Sequence, residues 1–269
     1  MMTGMETSEH IAALQRDGEL LAAAAERAGL DAKIPSCPSW QVKDLLRHIS
    51  YVHRWAAGYV VEQRKERLRG RPHESEILQG GPPDGELVDW FRAGHAALVA
   101  ALSMADPAMT CWTFLDAPSP LAFWARRQAH ETAIHRVDAE LASGDPIPFP
   151  AEFASDGIDE LIMGFFGRDA EDLSAEQQAG GRQALLVQAT DTGASWVLDL
   201  TADGKLAATV RRGGGLAPSG PAQCTLAGPA PGLYLLLWNR AEASAAGVQV
   251  SGDSAVLETW QNGMRVTWQ

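Results

Sequence analysis

The densest run of chemically capable side chains is RRQAHETAIHRVDAE, residues 126–140. Within it Glu131 and His135 stand four apart. Four residues advance an α-helix by about 400°, so both side chains would share one face, roughly 5–6 Å apart at Cβ. A carboxylate and an imidazole so placed suit two ligands of one metal ion. The zinc-protease pattern HExxH is not met: Ile134 stands where the second histidine belongs, and His135 falls one later. His130 lies five residues from His135, about 140° around the helix, and is not expected to share the site. A third ligand must come from another helix. His48, in DLLRHIS, sits with Leu45, Ile49 and Val52 on a mostly apolar face, where an unpaired imidazole needs a partner. His53 is five residues off that face, and His10, His73 and His95 lie in poorly placed or polar surroundings. His48, Glu131 and His135 are therefore the candidate metal ligands. Two histidines and a carboxylate leave at least one coordination position open, as catalytic zinc requires. The competing reading is a solvated Glu–His pair and a hydrogen-bonded core histidine, and spacing alone does not separate the two.

Other chemistries are excluded more simply. There is no GxxxxGK[ST] phosphate loop and no GxSxG nucleophile elbow. The glycines at 213–215 fail the GxGxxG pattern at Pro218 and read as a tight turn. Cys37, Cys111 and Cys224 form no CxxC pair and read as small buried hydrophobes in a reducing compartment. The net charge of −12, from 22 basic and 34 acidic residues, repels phosphate backbones and argues against a nucleic-acid binder. The best apolar run, GLYLLLW at 232–238, is far short of the roughly 18 residues of a membrane span. The opening MMTGMETSEH has no basic stretch leading into an apolar one, so no secretory signal is expected. These features predict a soluble, cytoplasmic chain that binds neither membrane nor nucleic acid; they leave its oligomeric state open.

The elements that must position the candidate ligands can be read from periodicity. At 269 residues the chain is long enough for one or two domains of about 150 residues, and its composition changes near residue 150. Before that point four helices are expected. The first spans 8–28, with Ser8 as N-cap and Gly29 as stop. The second runs from Trp40 to about Arg69, capped by Ser39 after IPSCPSW. A third covers 86–104 and a fourth 120–143. Between the second and third, residues 70–85 read as an exposed connection that no element claims. Asp44, one turn before His48, is read as complementing the helix dipole rather than supporting a metal ligand. Trp40, Trp55, Trp90 and Trp124 are expected to pack the bundle or wall a pocket. After a stiff proline linker at 145–153, a helix near 156–166 and an acidic stretch at 168–181 are expected. Strands at 184–190, 195–201 and 205–211, a buried helix at 231–239, and short strands at 247–251 and 264–268 complete the reading. The fold class is α+β: an antiparallel four-helix bundle at 1–148 followed by a smaller α/β domain at 149–269.

The segments PSCPSWQVKDLLRHISYVHRW and HETAIHRVDAE, with DGIDELIMGF, CTLAGPAPGLYLLLWNR and VQVSGD further on, are similar to the mycothiol-dependent maleylpyruvate isomerase family. The resemblance runs through nearly the whole chain in order. It implies a DinB-type metal-binding bundle joined to a sterol-carrier-like domain. It implies zinc held by a histidine of the second helix and an E-x3-H pair of the fourth, positions that fall on His48, Glu131 and His135. It also implies an arginine supplied by the C-terminal domain, for which Arg240 is the candidate; a helix-end cation is the equally plain alternative. The implied activity uses the small thiol mycothiol as cosubstrate against a small electrophile, as a maleylpyruvate-type cis-trans isomerase or as a thiol S-transferase. The alternative is a non-catalytic small-molecule binding or sensor protein with a vestigial metal site.

Overall fold

Two acidic side chains open the first helix. The computed structural model describes residues 5–68, 72–144, 146–166, 182–201, 206–212 and 222–263. Helix α1, Thr7–Ala28, begins with a capping box in which Glu9 Oε2 accepts the Glu6 N–H at 2.7 Å. Ser8, the expected cap, lies inside the helix because Glu6 and Glu9 already satisfy the free N–H groups. At the other end Gly29 adopts φ 81°, and its N–H reaches the Ala25 carbonyl. Strands β1 (Lys33–Ile34) and β2 (Cys37–Gln41) then form a small antiparallel hairpin. Helix α2 is Val42–Glu62, two residues later at its start and seven shorter at its end than periodicity suggests. The start moves because Ser39 and Trp40 belong to β2, so that Gln41 becomes the cap. Asp44 Oδ2 accepts the Gln41 N–H at 2.8 Å, a capping role close to the dipole role expected of it.

The connection that follows contains structure of its own, the short helix α3 (Glu74–Gln79) and a 3-10 turn at Asp84–Glu86. Helix α4 is Leu87–Met104. Helix α5, Pro120–Leu141, starts with Ser119 Oγ accepting the Ala122 N–H at 3.1 Å and a proline in its first turn. Around the bundle, α1 packs on α5 and α4, while α2 packs on α4 and α5. Cross-helix contacts give the directions. His10 meets His130 and Asp17 meets Arg136, so α1 and α5 run together. His48 meets Glu131 and Trp55 meets Trp124, so α2 and α5 run oppositely. Arg47 reaches Asp84 and Arg54 reaches Trp90, so α4 follows α2. The order is up-down-down-up, with the long α2–α4 connection returning the chain to the same end.

Leu14, Leu21, Leu45, Ile49, Val52, Phe91, Leu98 and Trp124 fill the bundle core. Helix α5 is unusual because it is polar and yet almost wholly buried. Its charges are paired: Arg127 with Glu131, and Arg136 with Asp17 and Glu140.

The chain divides into two compact units, Met1–Ile147 and Pro148–Gln269. In the second, α6 (Ala151–Asp159) starts directly after Pro150, five residues before the expected helix, and continues as a π-helical turn over Glu160–Phe166. A mixed five-stranded sheet follows in the order β5-β4-β3-β6-β7. Its strands are β3 (Arg182–Ala189), β4 (Ser195–Thr201), β5 (Leu206–Arg212), β6 (Cys224–Gly228) and β7 (Gln249–Gly252). The β3–β6 pair is parallel and the other pairs are antiparallel. Helix α7, Ala230–Leu237, is capped by Asp191, whose Oδ1 accepts the Ala230 N–H at 3.0 Å. Helix α8, Ala255–Gly263, buries Trp260, whose Nε1 donates to the Leu237 carbonyl at 3.1 Å. Strand β6 and helix α8 have no counterpart among the elements expected from the sequence. The acidic stretch at 168–181, the glycines at 213–215 and the strand at 264–268 lie outside the described residues. Among the described residues, no helix is long and apolar enough to cross a membrane. The architecture is a helical N-terminal domain followed by a smaller C-terminal α/β domain.

Candidate metal centre

Because α2 and α5 are neighbours running in opposite directions, a mid-helix residue of one can face a mid-helix residue of the other. His48 of α2 and Glu131 and His135 of α5 meet in this way, at 2%, 7% and 8% exposure. His48 Nε2 and His135 Nε2 each lie 3.4 Å from the same oxygen, Glu131 Oε1. One donor atom from each of the three residues falls within 4.8 Å of the other two. The rings of His48 and His135 are 4.9 Å apart and nearly perpendicular, so both point a nitrogen inward without stacking. A tetrahedral ion with bonds of about 2.0–2.1 Å has ligand–ligand edges of about 3.3–3.4 Å. The spacing around Glu131 Oε1 matches those edges, and a mixed nitrogen and carboxylate donor set suits zinc. The residues fit a divalent metal.

The charges at the site follow from its burial and its partners. Burial acts to raise the Glu131 pKa, but His135, His48 and Arg127 outweigh it and hold the carboxyl well below its ordinary range. Burial likewise works against a charged His135, yet its bonds to Asp138 and Glu131 push it up to about 9. His48 is lowered by burial, which exceeds the pull of Glu131. Without a metal, the site thus carries one carboxylate, one imidazolium and one neutral imidazole at neutral pH.

Of the supporting residues, Arg127, Asp138 and Ser36 were not singled out in the sequence, whereas Trp40 was expected to pack the bundle or wall a pocket. Arg127 Nη2 donates to Glu131 Oε2 at 2.8 Å, occupying the oxygen that does not face the histidines. Asp138 Oδ2 lies 2.9 Å from His135 Nδ1, and Ser36 Oγ donates to Asp138 Oδ1 at 2.5 Å. Trp40, half-buried on β2, lies 5.0 Å from the His48 ring and 6.3 Å from the His135 ring, centroid to centroid. Arg127 and Asp138 stand four before Glu131 and three after His135, so helical spacing places them on the ligand face.

The remaining histidines lie elsewhere. His130 faces His10 across α1 and α5, with ring centroids 6.0 Å apart. His53 Nε2 bonds Thr132 Oγ1 at 2.8 Å, and His95 Nε2 bonds the Leu14 carbonyl at 3.0 Å. His10 and His95 are both buried. Arg240 follows α7 in the second unit, where its Nη1 donates to the Trp238 carbonyl at 2.8 Å, the contact of a helix-end cation.

Two models of one family match the chain. The mycothiol maleylpyruvate isomerase N-terminal domain matches residues 11–140, and the MDMPI C-terminal domain matches residues 152–259. The fold resembles a crystal structure of mycothiol-dependent maleylpyruvate isomerase, with TM-score 0.63 and 14% identity over 93% of this chain and 96% of that one. A mutant of that isomerase gives TM-score 0.64 and 13% identity over the same shares. At such identities the likeness speaks for the fold alone. No curated protein matches the chain.

Proposed function

Because the chain belongs to the mycothiol maleylpyruvate isomerase family, through both of its domains, we propose that it is a metal-dependent enzyme that uses mycothiol against a small electrophile. The observation that carries this reading is the convergence of His48 Nε2 and His135 Nε2 on Glu131 Oε1 at 3.4 Å each, inside a helical bundle. A zinc ion held by these three donors would keep a position for a thiol sulfur and lower the thiol's pKa from its free value of about 8.5.

The chain's own residues supply the rest. Arg127 neutralises the outer oxygen of Glu131, and Asp138 holds the outer nitrogen of His135, so both ligands present a single fixed donor. Trp40 covers one side of the two imidazoles and limits water there. In the isomerase reading, the thiolate sulfur bonds to one alkene carbon of a cis enedione-type acid such as maleylpyruvate. The alkene π electrons pass to the conjugated carbonyl as an enolate. The former double bond turns as a single bond. The enolate then re-forms the trans alkene, and the C–S bond breaks to return the thiolate unchanged. Arg240 is our candidate for pairing with a substrate carboxylate or that enolate. If the electrophile instead carries a leaving group, or its adduct is protonated and kept, the same thiolate makes the protein an S-transferase.

The test is a turnover screen with mycothiol against maleylpyruvate and a panel of electrophiles, with and without chelator. Fumarylpyruvate formation establishes the isomerase and stable sulfur adducts the transferase. No mycothiol-dependent consumption of any member would contradict the proposal.

A further inference from the structure

The three donor atoms are aimed by residues that lie behind them. Glu131 could offer a metal either of its oxygens or both, and His135 either ring nitrogen. In this structure neither choice is free. Arg127, 3% exposed, takes Oε2 of Glu131 at 2.8 Å, and turning the carboxylate to present both oxygens would break that buried pair. Asp138, fully buried, takes Nδ1 of His135 at 2.9 Å, which leaves Nε2 as the nitrogen facing Glu131 Oε1. Asp138 is in turn held by Ser36 Oγ, which belongs to the turn between β1 and β2 and lies 102 residues earlier in the chain. The same hairpin carries Trp40 over both imidazoles.

We propose that Arg127, Asp138 and Ser36 are positioning residues that make Glu131 a one-oxygen ligand and His135 an Nε2 ligand, so that a metal there keeps an open position. The inference rests on the metal reading above and names what sets the affinity and coordination number of that site. It also gives the β1–β2 hairpin a role. The hairpin reaches the candidate ligands through the Ser36 hydroxyl and the Trp40 ring, so its seating and metal retention are coupled.

Zinc affinity is measured by chelator competition on the purified full chain, and coordination from the visible spectrum of the cobalt(II)-loaded protein. Asp138→Asn is expected to weaken zinc binding by ~10–100-fold, the usual effect of losing such a partner. Ser36→Ala should weaken it in the same direction by less, and Ser36→Thr, which keeps the hydroxyl, should restore it. Arg127→Met should shift the cobalt spectrum from the four-coordinate to the five-coordinate type as Glu131 presents both oxygens. Wild-type zinc affinity in Ser36→Ala and Asp138→Asn, or an unchanged cobalt spectrum in Arg127→Met, would overturn the inference. If Asp138→Asn does not fold, the Ser36→Ala and Ser36→Thr pair decides. A wild-type chain that takes up no zinc would overturn the metal reading beneath it instead.

Discussion

Glu131 keeps its charge in the bundle interior because Arg127 and His135 offset it and His48 lies beside it, and removing either cation leaves buried charge uncompensated. His135→Ala is accordingly expected to abolish both metal binding and turnover, checked by elemental analysis and a mycothiol-dependent assay. The same side chains set a pH dependence for the metal-free protein. His48, His53 and His95 are all held below their ordinary value of 6.5, chiefly by burial. Unfolded, they take up protons that the fold refuses, so stability falls as pH drops below about 6.5. His135 has the opposite sign. Its raised pKa contributes stability in full below 6.5, and that contribution is lost as pH rises through about 9. Melting temperature measured against pH on metal-free protein should therefore be highest near pH 6.5 and fall both below it and on the way up to about 9. Zinc must displace the His135 proton, so zinc affinity should rise with pH up to about 9. A flat affinity profile over that range would contradict the assignment. That His48, Glu131 and His135 come together was legible in the sequence, because four-residue spacing on α5 and an apolar face on α2 are local facts. Arg127 and Asp138 were equally visible in spacing, but charged residues at such intervals are usually solvated. The Ser36 contact was not legible, since nothing local joins residues so far apart.

The elements place these side chains through close approaches that tolerate little change. Gly18 of α1 lies against the His95 ring of α4, where an added Cβ would come within 2.2 Å of Nε2, itself bonded to the Leu14 carbonyl. Gly18→Ala should therefore cost about 1–3 kcal/mol, as overpacking usually does, seen as a lower midpoint in chemical denaturation. In the second unit, a Cβ on Gly232 of α7 would meet the Ala246 carbonyl oxygen at 2.0 Å. That obstacle is backbone and cannot swing aside, so Gly232→Ala should cost at least as much. Equal stability of either variant and wild type would show that these helices shift freely. Helices α1 and α2 were legible from periodic apolar stripes, and α4 and α5 from the prolines and glycine that bound them. The α2 start was misplaced because the hairpin claims Ser39 and Trp40, and pairing with β1 is invisible to helical periodicity. Helix α3 was missed because six residues between prolines and glycines carry no periodic signal. Strand β6 pairs in parallel with β3, a partner beyond an intervening hairpin, so no local turn announces it.

At the scale of the whole molecule, the change of composition near residue 150 corresponds to the passage from a helical unit to an α/β unit. The family assignment extends over both units, and Arg240 is the proposal drawn from the second. Arg240→Ala should keep zinc but lower mycothiol-dependent turnover by ~100-fold or more, in the range of a lost charge-stabilising donor. Unchanged turnover would leave Arg240 as a helix-end cation only. Three cysteines without a pairing motif suggest no thiol chemistry of the chain's own, and the account needs none, because the reactive sulfur arrives with the cosubstrate. The central claim is that His48, Glu131 and His135 hold the metal on which that sulfur's reactivity depends. The most direct test follows mycothiol-dependent turnover of maleylpyruvate or a reactive electrophile as zinc is titrated back into chelator-stripped protein. Turnover should rise in proportion to bound zinc and saturate at about one ion per chain, as a single three-ligand catalytic site requires. Full turnover in the stripped protein would contradict the account.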